Sequence, residues 1–298
     1  MTAPVETRRL TKRYGRLTAV DSLDLEVRPG EVYGFLGPNG AGKTSTLRMI
    51  LGLIKPTSGE VRLFGRAPGR PGHLNRVGSL VEGPAFYPYL SGRDNLRVMA
   101  RHARVPLDRI AAVLDQVELT ARAGDRYATY SLGMKQRLGV AAALLKDPRL
   151  VVLDEPTNGL DPAGMADVRV LVRRLGAAGC TVLLSSHLMS EVEELCDRVG
   201  VISRGRLVAE STVAGLRGER TLRIVATPLD TAATVVGARW GAGAVRIVDG
   251  GLDLAVDAGQ ASLVNAELVA AGVAVSELTT HERSLEQAFF DLTEDSRV

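Results

Sequence analysis

The sequence predicts an α/β protein built on a mostly parallel sheet, followed by a small α+β domain. Two short, continuous apolar runs, RLVVLDE at 149–155 and CTVLLSSH at 180–187, have the composition of strands buried on both faces. The segment between them, VRVLVRRLGAAG, has helical periodicity. Strands that alternate with helices in this way are typical of a parallel sheet covered by helices.

The N-terminal part contains β-prone runs and then a strand, a glycine-rich loop and a helix. Residues 5–36 hold LTAVDSLDLEV and EVYGFLG, separated by the turn signal Pro29-Gly30, and predict a small sheet that leads into a buried strand. After Gly42 the apolar residues of TSTLRMILGLI recur at helical spacing until Pro56. Residues 85–147 are predicted to form a helical insertion, with helices in DNLRVMARHA, LDRIAAVLDQVEL and MKQRLGVAAALL.

The C-terminal region has its own alternation of elements. TLRIVAT predicts a strand, DTAATVVGARW a helix, AVRIVDGGLDLAVD a hairpin, QASLVNAELVAAG a helix and VAVSELTT a strand. The order β-α-β-β-α-β suggests a small ferredoxin-like domain, with a terminal helix in SLEQAFFDLTE. We therefore expect one domain at 1–215 and an accessory domain at 221–298.

The composition places the chain among ordinary globular proteins. Its 298 residues suggest about two domains, at roughly 150 residues each. The 37 basic and 34 acidic residues leave a net charge of +3, which is too balanced for a nucleic-acid-binding surface spread over the chain. We expect no nucleic-acid partner. Cys180 and Cys196 have neither disulfide-framework nor metal spacing and are expected to be reduced core thiols.

Hydropathy bears on membrane insertion. No uninterrupted apolar run approaches the roughly 18 to 20 residues that cross a bilayer, and MTAPVETRRL lacks the apolar core of a signal peptide. We therefore expect a soluble, cytoplasmic chain. A role at a membrane would require another polypeptide to span it.

The glycine-rich loop carries the strongest chemical signal. It fits the pattern G-x-x-x-x-G-K-S/T between a predicted strand and a predicted helix. Glycines let backbone N–H groups approach a triphosphate, and the helix N-terminus adds its dipole. Lys43 is expected to reach the β- and γ-phosphates, and Thr44 to ligate Mg²⁺. The candidate contacts are Gly37, Pro38, Asn39, Gly40, Ala41, Gly42, Lys43, Thr44 and Ser45.

Two adjacent acids end the first apolar run. Asp154 and Glu155 follow LVVL, and the two-residue period of a strand directs neighbouring side chains to different sides. One acid can then hold Mg²⁺, directly or through water, while the other addresses the attacking water as a general base. The alternative is that both are solvated acids that cap the next helix.

Further motifs follow in a fixed order. YSLGM stands at 130–134, NGLD at 158–161, and His187 comes directly after TVLLSS. Together with the glycine-rich loop and the paired acids, these motifs make residues 5–215 resemble an ATP-binding subunit of an ABC transporter. The likeness is to the subfamily of bacitracin- and daunorubicin-type drug exporters. It implies a P-loop NTPase (RecA-like) cassette with an antiparallel β subdomain and a helical insertion.

The resemblance also implies roles for single residues. Tyr14 would stack on adenine, although alone it reads as a strand-edge aromatic. Ser131 and Gly133 would bind γ-phosphate at the start of a helix, where Ser131 can also act as an ordinary N-cap. Asp161 would cross between two protomers. His187 would contact the γ-phosphate or the attacking water and, with Glu155 and Lys43, complete the catalytic set.

Three residues depart from the family pattern. The segment YSLGM at 130–134 corresponds to the family's signature motif, which is usually LSGGQ. In this signature, Leu132 replaces the first glycine and Met134 replaces the glutamine. Glu82 occupies the position of the Q-loop glutamine. A carboxylate there can still ligate Mg²⁺ together with Thr44 and Asp154, but it adds negative charge. The alternative is an exposed loop acid without a metal role.

An aromatic segment, PAFYPYL, follows Glu82 directly. The resemblance implies that this region meets the membrane subunit, for which exposed aromatic side chains would be suitable anchors. The alternative is local packing onto the helical insertion.

The resemblance leads to a functional expectation. One chain is not expected to bring its signature and its phosphate loop to the same ATP, so two copies should meet head to tail around ATP and Mg²⁺. The chain would then hydrolyse ATP to energise a separate membrane permease that exports drugs, peptides or lipids. It would lie at the cytoplasmic face of the plasma membrane through that permease. The alternatives are a soluble ABC ATPase that acts on ribosomes or DNA, and a nucleotide-sensing regulatory module.

Overall fold

The structure is a computed structural model that describes residues 2–69, 72, 74–217, 221–248, 250–256 and 258–281. The chain divides into two compact units, with the division after Val213. The predicted terminal helix SLEQAFFDLTE and the rest of the chain after 281 lie outside the described residues.

The described residues of the first unit contain both strands and helices. The strands are β1 Val5–Tyr14, β2 Leu17–Val27, β3 Val32–Leu36, β4 Ser58–Leu63, β5 Val77–Leu80, β6 Leu150–Asp154, β7 Thr181–Ser186, β8 Arg198–Ser203 and β9 Arg206–Thr212. The helices are α1 Lys43–Ile50, α2 Gly92–Ala103, α3 Arg109–Gln116, α4 Leu132–Leu144, α5 Pro162–Ala177 and α6 Met189–Leu195, with α7 Val213–Arg217 at the division.

The central sheet has the strand order β5-β6-β7-β3-β8-β9 and is parallel except for the pairing of β8 with β9. Every residue of β3, β6 and β7 is buried. Strands buried on both faces require apolar side chains at successive positions, which is the pattern of these three runs. The predicted buried parallel sheet is therefore confirmed.

A smaller antiparallel sheet, in the order β2-β1-β4, packs on the same core. Its buried residues Leu10, Leu23 and Val61 belong to one cluster with Phe35 of β3 and Leu47 of α1. This is the antiparallel β subdomain that the family resemblance implied, and its core joins it to the first helix after the glycine-rich loop.

The helical insertion consists of α2, α3 and α4, as the sequence predicts. Helix α2 begins after Ser91, whose hydroxyl accepts a hydrogen bond from the backbone N–H of Asp94 at 3.0 Å. Ser131 caps α4 in the same way. Hydroxyl caps of this kind satisfy backbone donors that the first turn of a helix leaves free.

The second unit contains β10 Thr221–Thr227, α8 Leu229–Trp240, β11 Val245–Val248, β12 Gly251–Ala255, α9 Ala261–Ala270 and β13 Ala274–His281. These elements follow the predicted order β-α-β-β-α-β. Their strands form an antiparallel sheet in the order β11-β12-β10-β13. The unit has its own core, against which the partly buried Trp240 packs. Trp240 Nε1 donates to Gln260 Oε1 at 2.6 Å.

Candidate nucleotide site

Three neighbouring parallel strands bring their carboxyl ends to one edge of the central sheet. In the pairing register, Leu36 at the end of β3 lies opposite Ser186 of β7, and Asp154 at the end of β6 lies opposite Ser185. The loops that follow β3, β6 and β7 therefore start side by side. Ligands of open parallel sheets bind in the crevice outside the carboxyl ends of the strands.

The glycine-rich loop requires its glycines for space. A Cβ atom at Gly42 would lie 2.4 Å from the carbonyl oxygen of Ala19, and one at Gly37 would lie 2.4 Å from that of Ile202. Gly42 also has a φ of 107° and is the N-cap of α1, without a side-chain cap. The loop is thus held against its neighbours, and the N-terminus of α1 keeps backbone donors for an anion.

Lys43 lies beneath this loop with only 5% of its surface exposed. Its Nζ donates to the carbonyl oxygens of Gly37 at 2.6 Å and Pro38 at 3.2 Å, and lies 3.0 Å from Glu155 Oε1. A buried ammonium group must be paired with acceptors or opposite charge. The loop carbonyls and the carboxylate together meet that requirement.

Glu155 is the centre of the charged cluster. Its Oε2 lies 2.5 Å from His187 Nδ1, while its Oε1 faces Lys43. Its backbone has a φ of 48°, in the left-handed region that residues with a Cβ rarely adopt. Strained backbone of this kind clusters at functional sites. The structure thus brings together the three residues that the sequence nominated for catalysis.

Asp154 is 8% exposed, and its Oδ1 accepts a hydrogen bond from Ser185 Oγ at 2.6 Å. Within the described residues, no group of three or more His, Cys, Asp and Glu side chains could hold a metal ion. Mg²⁺ is usually bound by one or two carboxylates together with substrate phosphates and water rather than by an all-protein cage. The oxygen donors of Asp154 and Thr44 therefore fit Mg²⁺ bound with a nucleotide.

Glu82 forms an ion pair that the sequence did not predict. Its side chain is exposed and pairs with Arg48 of α1. Arg48 lies one helical turn after Thr44, so the ion pair links Glu82 to the face of α1 that carries the Thr44 hydroxyl. Sequence reasoning missed Arg48, although its spacing of four residues from Thr44 was a usable signal.

Tyr14 ends β1 with 47% of its surface exposed. Lys12 Nζ lies 5.0 Å from the centroid of its ring, which is a cation–π distance. The exposure is compatible with both meanings that the sequence left open, a strand-edge aromatic and a platform for a base.

The signature segment starts α4 beside the loop at 158–161. A Cβ atom at Gly159 would lie 3.2 Å from Leu132 Cδ2, and one at Gly133 would lie 3.9 Å from the Cα atom of Gly164. Leu132 is 51% exposed. Ser131 Oγ accepts from the backbone N–H of Met134 at 3.2 Å.

Asp161 caps α5, because its Oδ1 accepts from the backbone N–H of Gly164 at 3.1 Å. Ser131 and Asp161 thus both serve as helix caps. Among the described residues, no hydrogen bond or ion pair joins Ser131 to Lys43 or Glu155.

Sequence reasoning missed the polar end of β7. Ser186 Oγ donates to Oε2 of the buried Glu191 at 2.8 Å and accepts from the backbone N–H of Leu188 at 2.9 Å. These bonds hold the turn that carries His187. The available signal was the pair of serines that ends an otherwise apolar buried strand.

The aromatic segment after Glu82 has one partly buried ring and two exposed rings. Phe86 packs edge-on against Tyr127, with ring centroids 5.3 Å apart. Tyr87 and Tyr89 are 50% and 68% exposed. Local packing, one of the two alternatives that the sequence left open, therefore applies to Phe86, while contact with a membrane subunit stays a prediction for the exposed tyrosines.

Comparison with known proteins identifies the family. A family profile described as ABC transporter matches residues 20–158. The chain is 40% identical to the bacitracin transport ATP-binding protein BcrA of Bacillus licheniformis, over 98% of each chain. This chain belongs to the ABC transporter ATP-binding proteins. As a member of that family it binds ATP with Mg²⁺ and hydrolyses ATP, as the resemblance implied.

Two further similar proteins match about seven tenths of this chain. The lantibiotic transport ATP-binding protein SrtF of Streptococcus pyogenes is 39% identical over 69% of this chain and 90% of its own length. A solved structure of an ATP-binding subunit of an ABC transporter has a TM-score of 0.64 and 28% identity, over 72% of this chain and 91% of that chain. None of the helices in the described ranges combines the length and apolarity that a membrane crossing needs.

Proposed function

We propose that the chain is the ATP-hydrolysing subunit of an exporter whose membrane-spanning part is a separate permease, with drugs, peptides or lipids as cargo. The observation that carries the proposal is the Glu155 carboxylate between Lys43 and His187, at the edge where three parallel strands end. The similarity to BcrA over nearly the whole chain favours export of an antibiotic peptide.

Glu155 acts as the general base in this proposal. Its Oε2 is held by His187, and its Oε1 shares Lys43 with the loop carbonyls. The triphosphate carries more negative charge than one carboxylate and therefore attracts Lys43 more strongly. When the ammonium group of Lys43 moves toward the phosphates, Oε1 of Glu155 becomes available to accept a proton from water.

Asp154 and Thr44 supply oxygen donors for Mg²⁺, which neutralises phosphate charge when it is bound. Glu82 is proposed as a third donor. Its partner Arg48 lies in the last turn of α1, one helical turn after Thr44, and the ion pair holds the Glu82 carboxylate against this helix. Arg48 also offsets the negative charge that Glu82 introduces.

A second copy of the chain completes the site. Ser131 and Gly133 begin α4 and are not bonded to the phosphate loop within one described chain, so their partner would be the nucleotide of the other copy in a head-to-tail dimer. Leu132, which is half exposed, and Asp161, at the start of α5, would face that copy. ATP would then be part of the dimer interface.

The exposed rings of Tyr87 and Tyr89 are proposed to dock on the permease, because aromatic side chains are frequent anchors of protein interfaces. This contact would hold the chain at the cytoplasmic face of the plasma membrane. In detergent-solubilised membranes, the double variant Tyr87→Ala/Tyr89→Ala should no longer co-purify with the permease. Its affinity for ATP should stay unchanged. Phe86 is partly buried and packs against Tyr127, so it is left intact to preserve the fold.

The test combines Glu155→Gln with affinity purification from membranes. The variant should bind ATP, accumulate as a dimer in size-exclusion chromatography and lose turnover by about 10²- to 10⁴-fold, since the general base is absent. A multi-span membrane protein should co-purify with the chain. Normal turnover would show that Glu155 is not the base, and salt-sensitive co-purification of nucleic acid alone would contradict the transport role.

A further inference from the structure

Ser185 connects the two acids of the site through one hydroxyl group. It lies on β7 opposite Asp154 of β6 and is fully buried. Its Oγ donates to Asp154 Oδ1 at 2.6 Å and accepts from the backbone N–H of Glu155 at 3.0 Å. A hydroxyl group has one donor and two acceptor positions, so both bonds can form at the same time.

The same residue holds the backbone turn of Glu155. The N–H of Glu155 also points at the carbonyl oxygen of Ser185, at 3.2 Å, so both of its acceptors belong to one residue. Glu155 adopts a left-handed conformation, which is unfavourable for a residue with a Cβ and persists where surrounding contacts fix it. The direction of the Glu155 side chain, toward Lys43 and His187, depends on this turn.

We propose that Ser185 is a positioning residue for ATP hydrolysis, which fixes the candidate metal ligand Asp154 and the candidate base Glu155 relative to each other. The inference rests on the proposed roles of these two acids. Ser185 is completely buried and acts only through them. Some residues do not touch a metal ion but hydrogen-bond to its ligands. Their replacement typically lowers metal affinity or activity by about 10- to 100-fold.

Ser186 provides a matched control. It is the next residue of the same strand, is equally buried, and its side chain points to the opposite face of the sheet. Its hydroxyl contacts Glu191 and the N–H of Leu188, not the acids of β6. Ser185→Ala and Ser186→Ala therefore each remove one buried hydroxyl group, with different partners.

The experiment measures Mg²⁺ dependence in two ways. In a Glu155→Gln background, the affinity for a fluorescent ATP analogue is titrated with Mg²⁺, so no turnover is needed. Ser185→Ala should raise the Mg²⁺ concentration for half-maximal affinity by about 10- to 100-fold and leave the Mg²⁺-free affinity unchanged. With Glu155 present, the same replacement should lower kcat more than it raises KM.

Ser185→Thr keeps the hydroxyl group and should restore both the Mg²⁺ requirement and kcat. Ser186→Ala should leave the Mg²⁺ requirement at the wild-type value. Thermal melting of each variant identifies loss of fold. If Ser185→Ala unfolds, the folded Ser185→Thr variant still tests whether a hydroxyl group at this position is sufficient for the wild-type Mg²⁺ requirement.

Three results would overturn the inference: a wild-type Mg²⁺ requirement in Ser185→Ala, an equal shift in Ser186→Ala, or a folded Ser185→Thr variant without rescue. Failure of the proposed function is recognised separately. If Glu155→Gln alone turned over ATP normally, Glu155 would not be the base, whereas the Mg²⁺ titration would still decide whether Ser185 positions Asp154.

Discussion

The ammonium group of Lys43 lies 3.0 Å from Oε1 of Glu155, although the two residues follow different strands, β3 and β6. Both side chains are largely buried, so each charge depends on the other for compensation. The parallel sheet makes the contact possible, because it aligns the carboxyl ends of these strands on either side of β7. The proposed phosphate-binding cation and the proposed base are therefore one electrostatic unit.

Lys43→Ala should weaken ATP binding. Hydrogen bonds to charged groups contribute about 1.5–3 kcal/mol each, so the loss of one phosphate contact corresponds to an affinity decrease of about 10- to 100-fold. The measurement is a titration with a fluorescent ATP analogue. Lys146→Ala, at an exposed lysine, is the control and should bind as the wild type. Unchanged affinity of Lys43→Ala would remove Lys43 from the phosphate site.

Gly42→Ala should destabilise the chain more than Gly40→Ala does. Both glycines have a positive φ, so both replacements carry the backbone penalty of about 1–2 kcal/mol. Only the Cβ at Gly42 meets a backbone atom, Ala19 O, whereas nothing lies within 4 Å of a Cβ at Gly40. Overpacking adds about 1–3 kcal/mol to the decrease in the free energy of unfolding. Urea denaturation measures both, and equal values would contradict the steric argument.

Tyr14→Ala decides between the two meanings of this exposed aromatic residue. If Tyr14 stacks on adenine, the replacement weakens ATP binding by about 1–3 kcal/mol and leaves the affinity for inorganic tripolyphosphate unchanged. Tyr14→Phe keeps the ring and should bind ATP as the wild type. Equal ATP affinity of Tyr14→Ala and wild type would indicate a strand-edge aromatic without a ligand role.

The two thiols should react slowly in the folded chain. Burial raises the pKa of Cys180 to about 11 and raises the pKa of Cys196 further. The reactive thiolate is therefore scarce near neutral pH, and alkylation of Cys180 should be about 100-fold slower than that of an unfolded cysteine. The rate should rise as the pH approaches that pKa. Mass spectrometry after iodoacetamide treatment, with and without urea, measures it, and equal rates in the two conditions would contradict burial.

The sequence could predict those parts of the site that depend on local pattern. The apolar runs that became β3, β6 and β7 were recognisable because both faces of each strand are buried. The glycine-rich loop was recognisable from its own residues. The family motifs then nominated the charged residues that meet at the sheet edge.

The contacts of Ser185, and the pairing of Glu82 with Arg48, were not predictable in the same way. The position of Ser185 opposite Asp154 depends on the register between two strands that are distant in the sequence. The direction of the Glu82 side chain depends on the left-handed backbone conformation of Glu82 itself, which has a φ of 68°. Neither register nor a single backbone angle follows from the identity of the residue itself.

The left-handed turn at Glu155 has a further consequence. Glycine adopts this conformation without steric penalty, so the backbone strain at position 155 would be smallest with glycine there. Glycine, however, would delete the carboxylate that faces Lys43 and His187. Thermal stability and ATP turnover therefore make opposite demands on this one residue. A replacement by glycine that stabilises the turn would yield a heat-resistant protein that no longer hydrolyses ATP.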